Sequence, residues 1–126
     1  MLDSTVLIDY LRGRPAVARV ARLIEAGDVP ATTALNVEEI VRGLLPGEHE
    51  AIDSLIAGLV VLPIHEDTAR AAGEWRRRFS ARGVTLAPAD VLIAAATVLS
   101  SGTLMTGNPR DFPMPELDME HWPVGE

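Results

Sequence analysis

The sequence predicts an α/β fold, with an open parallel sheet of four to five strands and helices on both faces. Short apolar runs alternate with amphipathic helical segments along the chain, which is typical of α/β domains. Glycine and proline separate these segments, and no repeat or linker interrupts them. Right-handed crossovers between successive parallel strands would place helices on both faces of the sheet. The 126 residues therefore predict a single domain spanning 1–126.

Hydrophobic periodicity predicts the order β-α-α-β-α-α-β-α-α-β, followed by a last strand. The strands are predicted at 1–2, 29–33, 59–64, 103–106 and 117–121. The first is only a stub, because a charged residue follows at once. The helices are predicted at 4–11, 15–26, 36–43, 48–58, 67–82 and 87–101. In such sheets ligands bind beyond the carboxyl ends of the strands, so we expect functional residues at that edge.

Local signals predict how individual elements begin and how they are buried. Pro15 and Pro88 each stand in the first turn of a helix, where the missing N–H costs nothing. Asn36 is a candidate N-cap, and Glu39 stands three residues later, as in a capping box. The run 59–64 is almost wholly aliphatic, which predicts a strand buried within the sheet.

Composition excludes several kinds of chemistry. The chain has no cysteine, which excludes disulfides, cysteine-ligated zinc, iron–sulfur clusters and thiol nucleophiles. All 11 basic residues are arginine, which excludes a Walker-A lysine and a Schiff base. The net charge is −7 and the isoelectric point about 4.9, so bulk charge cannot hold nucleic acid. A nucleic-acid ligand would require local neutralisation of the acids, most simply by a divalent cation.

The sequence also predicts where the protein resides. The first residues include two acids and no basic segment of the kind that opens a signal peptide. The longest apolar run, 84–99, is shorter than the roughly 20 residues that a membrane-spanning helix needs, and it contains an acid. We therefore expect a soluble, cytoplasmic protein with no membrane contact.

Four acids fall at the predicted functional edge, and each has an ordinary alternative role. They are Asp3, Glu39, Asp90 and Asp111. Asp3 could cap the first helix, and Glu39 could complete the capping box. Asp90 could complement a helix dipole, and Asp111 could be a turn acid. Clustered carboxylates repel one another unless a cation joins them, and ligation by oxygen alone suits Mg²⁺ or Mn²⁺. Such sites are suited to phosphodiester cleavage.

The chain carries four short motifs: DSTVLI from Asp3, EIVRG from Glu39, DVLIAA from Asp90 and LMTGNPRDF from Leu104. They resemble, in the same order, the motifs D-[TS]-[ST]-x-L-I, E-[LI]-x-x-G, D-x-L-I-A-A and L-x-T-x-N-x-x-D-F of PIN domains, particularly of VapC toxins. Each motif alone is permissive, but the four together span residues 1–112, nearly the whole chain.

This resemblance implies a PIN-like fold and an endoribonuclease that depends on Mg²⁺ or Mn²⁺. The metal-binding acids that it implies are Asp3, Glu39 and Asp90, with Asp3 and Asp90 as ligands of the ion. Asp111 completes the catalytic acids, beside Asn108, where many family members have an acid. Thr5 matches a small polar position that helps to place the substrate or a metal-bound water.

The resemblance also implies partners. They are a VapB-type antitoxin that holds the enzyme inactive, an RNA substrate (tRNA or rRNA), and a homodimer that forms a hetero-oligomer with the antitoxin. Arg12 and Arg14 are candidates for holding RNA phosphates. Arginines at 76–78 and at Arg82 form either a second basic patch or an ordinary solvated helix face. The alternatives are a housekeeping PIN nuclease for RNA processing and a weakly catalytic PIN-like binding module.

Apolar stripes on three predicted helices exceed what a thin sheet edge needs to bury. Their members are Val6, Leu7, Tyr10 and Leu11, then Val17, Val20, Leu23 and Ile24, then Val37, Ile40 and Leu44. We expect part of this surface to stay exposed and to accept an amphipathic antitoxin helix. An arginine from that helix could pair with two carboxylates of the acidic site.

Overall fold

The computed structural model describes residues 1–125 and has the α/β architecture that the sequence predicts. Its helices are α1 (Ser4–Leu11), α2 (Ala16–Glu25), α3 (Ala34–Arg42), α4 (His49–Ala57), α5 (Glu66–Ser80) and α6 (Pro88–Leu99). Its strands are β1 (Ala31–Thr33), β2 (Val60–Leu62), β3 (Leu104–Thr106) and β4 (Met119–His121). The longest helix of this part of the chain, α5, has 15 residues, and no helix there combines the length and apolarity that a membrane span needs.

The sheet consists of two parallel pairs of strands joined by the N-terminal stub. β1 pairs with β2, and β3 pairs with β4. Leu2 lies between the pairs, because its N–H donates to the Ala31 carbonyl at 2.7 Å and it forms a parallel bridge with Met105. The spatial order is therefore β2–β1–Leu2–β3–β4. The stub is the centre of the sheet, and it places Asp3 in the middle of the carboxyl edge.

Hydrophobic cores lie on both faces of this sheet. Leu104 packs into one core with α5 and α6, whereas its neighbour Met105 packs into the other, with α1, α2, α3 and α4. The change of core between adjacent residues follows from the alternation of side chains along a strand. The prediction of helices on both faces is confirmed.

Strand β2 lies at an edge, so the prediction of a buried strand over 59–64 is wrong. Only Val60–Leu62 is strand, and the Val60 and Val61 side chains are 47% and 37% exposed. β2 is the outermost strand of the order above, next to β1. An aliphatic run alone does not distinguish a central strand from an edge strand.

The N-terminal residues of two helices play other roles than predicted. Thr33 is the N-cap of α3, since its hydroxyl accepts from the Asn36 N–H at 3.3 Å while the Asn36 amide oxygen accepts from the Thr33 N–H at 3.2 Å. Asn36 is therefore the third residue of α3 rather than its cap, and Glu39 lies one turn further on. Pro15 precedes α2 as its N-cap, whereas Pro88 opens α6 as predicted.

Candidate active site

Asp3 lies directly after the central stub, with its carboxylate held by three elements of the fold. It occupies the N-cap position of α1, but its side chain makes no capping hydrogen bond. Instead, Oδ2 accepts from the hydroxyls of Thr106 at 2.7 Å and Thr5 at 3.3 Å, and Oδ1 accepts from the Asn36 amide at 3.3 Å. The residue is only 6% exposed. The fold therefore fixes the orientation of this carboxylate, and the alternative role as a helix cap is not supported.

Asn36 connects Asp3 to Glu39. Its amide oxygen accepts from the Thr33 hydroxyl at 2.7 Å, and its Nδ2 donates to both Asp3 and Ser4 Oγ, the latter at 3.0 Å. Ser4 Oγ donates in turn to Glu39 Oε1 at 2.9 Å. Asn36 is fully buried, and this network accounts for its polar atoms. The sequence predicts Asn36 only as a cap, although the N-x-x-E spacing places it on the same helix face as Glu39.

Asp90 faces the other predicted acids from the N-terminus of α6. Burial raises the pKa of Asp90 to about 6, together with the negative charges of Asp111, Asp3 and Glu39. A helix N-terminus favours an ionised acid, so burial and repulsion outweigh the dipole here. The structure therefore brings the four predicted acids together at one edge of the sheet.

The loop after β3 carries Asn108 and Asp111. Both side chains are exposed, and Asp111 ends a short 3₁₀ turn. The Asn108 N–H donates to the Thr106 hydroxyl at 3.0 Å, while that hydroxyl donates to Asp3. Thr106 therefore joins the loop to the buried carboxylate. The sequence analysis assigns it no role, although it is the threonine of the LMTGNPRDF motif.

The donor set suits a hard divalent cation, although it is not a ready-made cage. Within residues 1–125, no three His, Cys, Asp or Glu side chains converge closely enough to enclose a metal ion. Mg²⁺ commonly keeps several waters and is bound through one or two carboxylates. Asp3 and Asp90 supply oxygen donors of that kind, whereas zinc would favour nitrogen or sulfur.

The predicted arginines lie in different places. Arg12 approaches Glu48 to 3.9 Å, beside α4. Arg14 lines a cleft of about 200 Å³ together with Thr5 and Asp9, so it adjoins a hydrogen-bond partner of Asp3. Of the two, Arg14 is the better placed to meet a ligand that extends from the acidic site.

The second group of arginines makes mainly local contacts. These are Arg77–Glu74 at 3.1 Å, Arg78–Glu116 at 3.0 Å and Arg82 over the Phe79 ring at 4.5 Å from its centre. The Trp75 indole also donates to Glu116. The hydrogen bonds from Arg78 are the main cause of a lowered pKa of Glu116. These contacts favour a solvated helix face over a nucleic-acid patch.

The predicted apolar stripes are only partly available as surface. The members buried in the core are Val6, Leu7, Val20 and Ile40, so they do not belong to the part expected to stay exposed. The members that are exposed or half-buried are Tyr10, Leu11, Val17, Leu23, Ile24, Val37 and Leu44. Val41 and Leu45, outside the predicted stripes, are 51% and 53% exposed. Part of the exposed apolar surface, at Val41 and Leu45, therefore lies outside the stripes predicted from the sequence.

Comparison with known proteins bears on these features. The sequence model of the PIN domain matches residues 1–114. The chain is similar to Ribonuclease VapC19 of Mycobacterium tuberculosis, with 34% identity over 115 residues, 90% of this chain and 92% of the relative. It is also similar to Ribonuclease VapC10 of that organism, with 35% identity over 116 residues, 90% of this chain and 86% of the relative. The structure of VapBC2 from Rickettsia felis bound to a promoter DNA fragment matches with a TM-score of 0.86 over 97% of both chains at 19% identity, a likeness of fold alone.

Asp90→Asn should stabilise the metal-free protein at neutral pH. The pKa of Asp90 rises from 3.8 to about 6 on folding, so the folded state binds the extra proton. Wild-type stability therefore falls as the pH rises from about 4 to about 6, and the full loss persists above that range. Asparagine stays neutral and escapes this loss. We expect a gain of about 1 kcal/mol at pH 8, because solvent screens a half-exposed carboxylate.

The measurement is urea unfolding of both proteins between pH 4 and pH 8 in the presence of EDTA. Asp53→Asn is the matched control, because Asp53 is an exposed acid on α4. The difference between Asp90→Asn and wild type should shrink towards pH 4. A difference that is the same at every pH would contradict ionisation of the buried Asp90 carboxyl as its cause.

Proposed function

We propose that this chain, which belongs to the PIN-domain family and within it to the VapC ribonucleases of toxin–antitoxin systems, is a metal-dependent endoribonuclease. We further propose that its antitoxin covers the acidic site. The observation that carries this proposal is that three acids lie close enough to Asp90 for their charges to add to the effect of burial and raise its pKa to about 6. A site that concentrates negative charge at a sheet edge needs a cation before it can accept a phosphodiester.

Asp3 is suited to hold that cation through one particular oxygen. Its Oδ2 accepts from two hydroxyls, whereas Oδ1 accepts only from the Asn36 amide. Each carboxylate oxygen has two lone pairs, so Oδ1 keeps one for a ligand. Asp90 offers a second carboxylate from α6. When bound, Mg²⁺ or Mn²⁺ would activate water and neutralise the charge that develops on the phosphate.

Glu39 and Asp111 have different placements and therefore different proposed roles. Glu39 Oε1 is bonded to Ser4, which leaves Oε2 free to orient a water molecule. Asp111 stands on the exposed loop and faces Asp90, where it can meet the substrate as it enters. Arg14, in the cleft beside Thr5, can hold an RNA phosphate that flanks the scissile bond. Local arginine of this kind offsets the net charge of −7.

Asp3→Asn should abolish RNA cleavage while leaving the fold intact. Asparagine keeps the shape but removes a carboxylate ligand, and we expect activity to fall by at least about 100-fold. The measurement is sequencing of RNA ends after induced expression, with growth recorded in parallel. Asp53→Asn, on exposed α4, is the control that removes an acid elsewhere. Wild-type cleavage by both Asp3→Asn and Asp90→Asn would contradict the metal-nuclease proposal.

Mg²⁺ or Mn²⁺ should raise the melting temperature of the wild-type protein. A ligand that binds only the folded state stabilises it by about 2.7 kcal/mol at 100 times its dissociation constant. Asp90→Asn should show a smaller shift, because it has one carboxylate fewer. Scanning fluorimetry with and without millimolar metal measures this, and EDTA should return the wild type to its starting value. Equal shifts in wild type and Asp3→Asn/Asp90→Asn would place the bound ion elsewhere.

An amphipathic antitoxin helix is the proposed occupant of the apolar surface beside the acids. That surface combines Tyr10 and Leu11 of α1, Val41 of α3, and Leu44 and Leu45 after α3. α1 packs against both α3 and α4, so these side chains belong to one helical layer. Because α3 also carries Glu39, a bound helix can reach the acids with an arginine, which pairs well with carboxylates.

Leu11→Glu and Val41→Glu should weaken the complex with the proposed antitoxin. A charge buried against an apolar helix is costly, and we expect at least a tenfold loss of affinity, about 1.4 kcal/mol. Val41 is already 51% exposed, so its replacement costs the fold little. The control is Leu99→Glu, at an equally exposed position at the far end of α6. Titration of antitoxin against RNA cleavage measures the effect, and equal inhibition of all three variants would place the antitoxin elsewhere.

A further inference from the structure

Residues 122–125, called the strap below, cross the end of β3 and are tied to three separate elements. The Trp122 N–H donates to the Thr106 carbonyl at 2.9 Å. Arg19 of α2 donates to the Pro123 carbonyl at 2.8 Å. The Gly125 N–H donates to Asp9 Oδ1 at 2.9 Å. With the buried Trp122 side chain, these bonds fix the strap against the acidic side of the molecule.

The strap packs closely against Gly107, the first loop residue after β3. A Cβ placed on Gly107 would lie 2.8 and 3.0 Å from the two Val124 methyl carbons, and 3.3 Å from Thr5 Oγ1. Gly107 is not among the residues with positive φ, so its backbone does not require glycine. The constraint is close approach: a side chain at position 107 would have to displace the Val124 side chain and crowd Thr5 Oγ1.

Both residues at this contact orient the Asp3 carboxylate. The Gly107 N–H donates to Thr5 Oγ1 at 2.9 Å, and Thr5 Oγ1 donates to Asp3 Oδ2 at 3.3 Å. Thr106, whose carbonyl accepts from the strap, donates its hydroxyl to the same Oδ2 at 2.7 Å. The strap therefore reaches the carboxylate along two routes: by hydrogen bonds through Thr106, and by the packing of Val124 on Gly107 followed by hydrogen bonds through Thr5.

Asp9 anchors the strap although it is not one of the clustered acids. It is 1% exposed, and its carboxylate accepts from the N–H groups of Ala16 and Gly125 at 3.0 and 2.9 Å. A buried carboxylate is costly without such partners, so these two hydrogen bonds are what stabilise Asp9 in its buried position. Asp9 stands four residues after Thr5, on the same face of α1, and both line the cleft that Val124 borders.

We propose that the strap positions the Asp3 carboxylate through Gly107 and Thr5, and that Asp9 is the positioning residue that holds the strap. The inference rests on the proposed metal-dependent nuclease, because it concerns the orientation of a metal-binding acid. Loss of a group that orients a metal ligand typically costs 10- to 100-fold in metal affinity or activity.

The central test uses Gly107→Ala and its second-site rescue. The added methyl should push Val124 and Thr5 apart, lower kcat for RNA cleavage at least tenfold and raise the Mn²⁺ concentration needed for half-maximal activity. KM for RNA should change less than kcat, because the strap is linked to Asp3 through Thr106 and Thr5, whereas it shares only an open cleft with Arg14. Gly107→Ala/Val124→Ala, which restores room at the contact, should recover most of the lost kcat.

A second test reads the positioning without activity or metal. Hydrogen exchange of the Gly107 amide, followed by NMR in the presence of EDTA, should accelerate at least tenfold in Asp9→Asn. The matched reference is the Leu104 amide, which bonds within the sheet to the Asp118 carbonyl and should keep its protection. Ala72→Gly, in the α5–α6 core, controls for stability: at a comparable loss of melting temperature it should retain kcat.

Three outcomes overturn the strap proposal: wild-type kcat in Gly107→Ala, no recovery in Gly107→Ala/Val124→Ala, or unchanged Gly107 exchange in Asp9→Asn. An equal loss of kcat in Ala72→Gly also overturns it, because general destabilisation would then account for the effect. A wild-type protein with no metal-dependent cleavage overturns the proposed nuclease function instead. The exchange measurement still reports on the strap in that case, so the two failures are distinguishable.

Discussion

Four carboxylates share one end of a thin sheet, and holding like charges at that edge is the constraint on which the rest of the structure depends. The effect of this crowding is clearest at Asp90, where burial and three neighbouring negative charges raise the pKa of the carboxyl group to about 6. Repelling groups stay in place only if the scaffold holds them there. In this protein that scaffold is made of neutral donors: the amide of Asn36 and the hydroxyls of Thr5 and Thr106 hold Asp3 without cancelling its charge.

Short strands help to hold Asp3, because they end close to its carboxylate. Strands β1 and β3 have three residues each, and each ends in a buried threonine, Thr33 and Thr106. The backbone leaves the sheet immediately afterwards, so a hydroxyl and a helix or loop start meet at the same point. A further threonine, Thr32, donates to the Leu2 carbonyl at 2.9 Å and secures the stub. Hydrogen bonds from threonine hydroxyls thus connect neighbouring strands and loops where the short strands form few backbone hydrogen bonds.

The sequence allowed the class of fold, the element order and the four acids to be predicted, because each depends on local pattern or on the rule for sheet edges. It did not allow the capping register of α3 to be predicted, because Thr33 and Asn36 are both good caps and only the end of β1 decides between them. The exposure of β2 escaped prediction since strand order is a long-range property. The contact of Val124 with Gly107 joins residues 17 positions apart with no local pattern at all. Local signals therefore predicted that the charged groups lie together, but not which groups orient them.

Charge also links the partners proposed for this site. The negative charge of the acidic edge can be reduced in three ways: by a proton on Asp90, by a divalent cation bound to Asp3 and Asp90, or by an arginine of an antitoxin helix. Since all three act on the same carboxylates, each weakens the binding of the other two. On the proposed function, a metal-loaded site would accept anionic RNA, whereas a protonated site would lack a metal ligand and a site occupied by arginine would exclude the ion. Below about pH 6, protonation of Asp90 therefore competes with metal, so both metal affinity and any activity that depends on it should fall as the pH is lowered through that value.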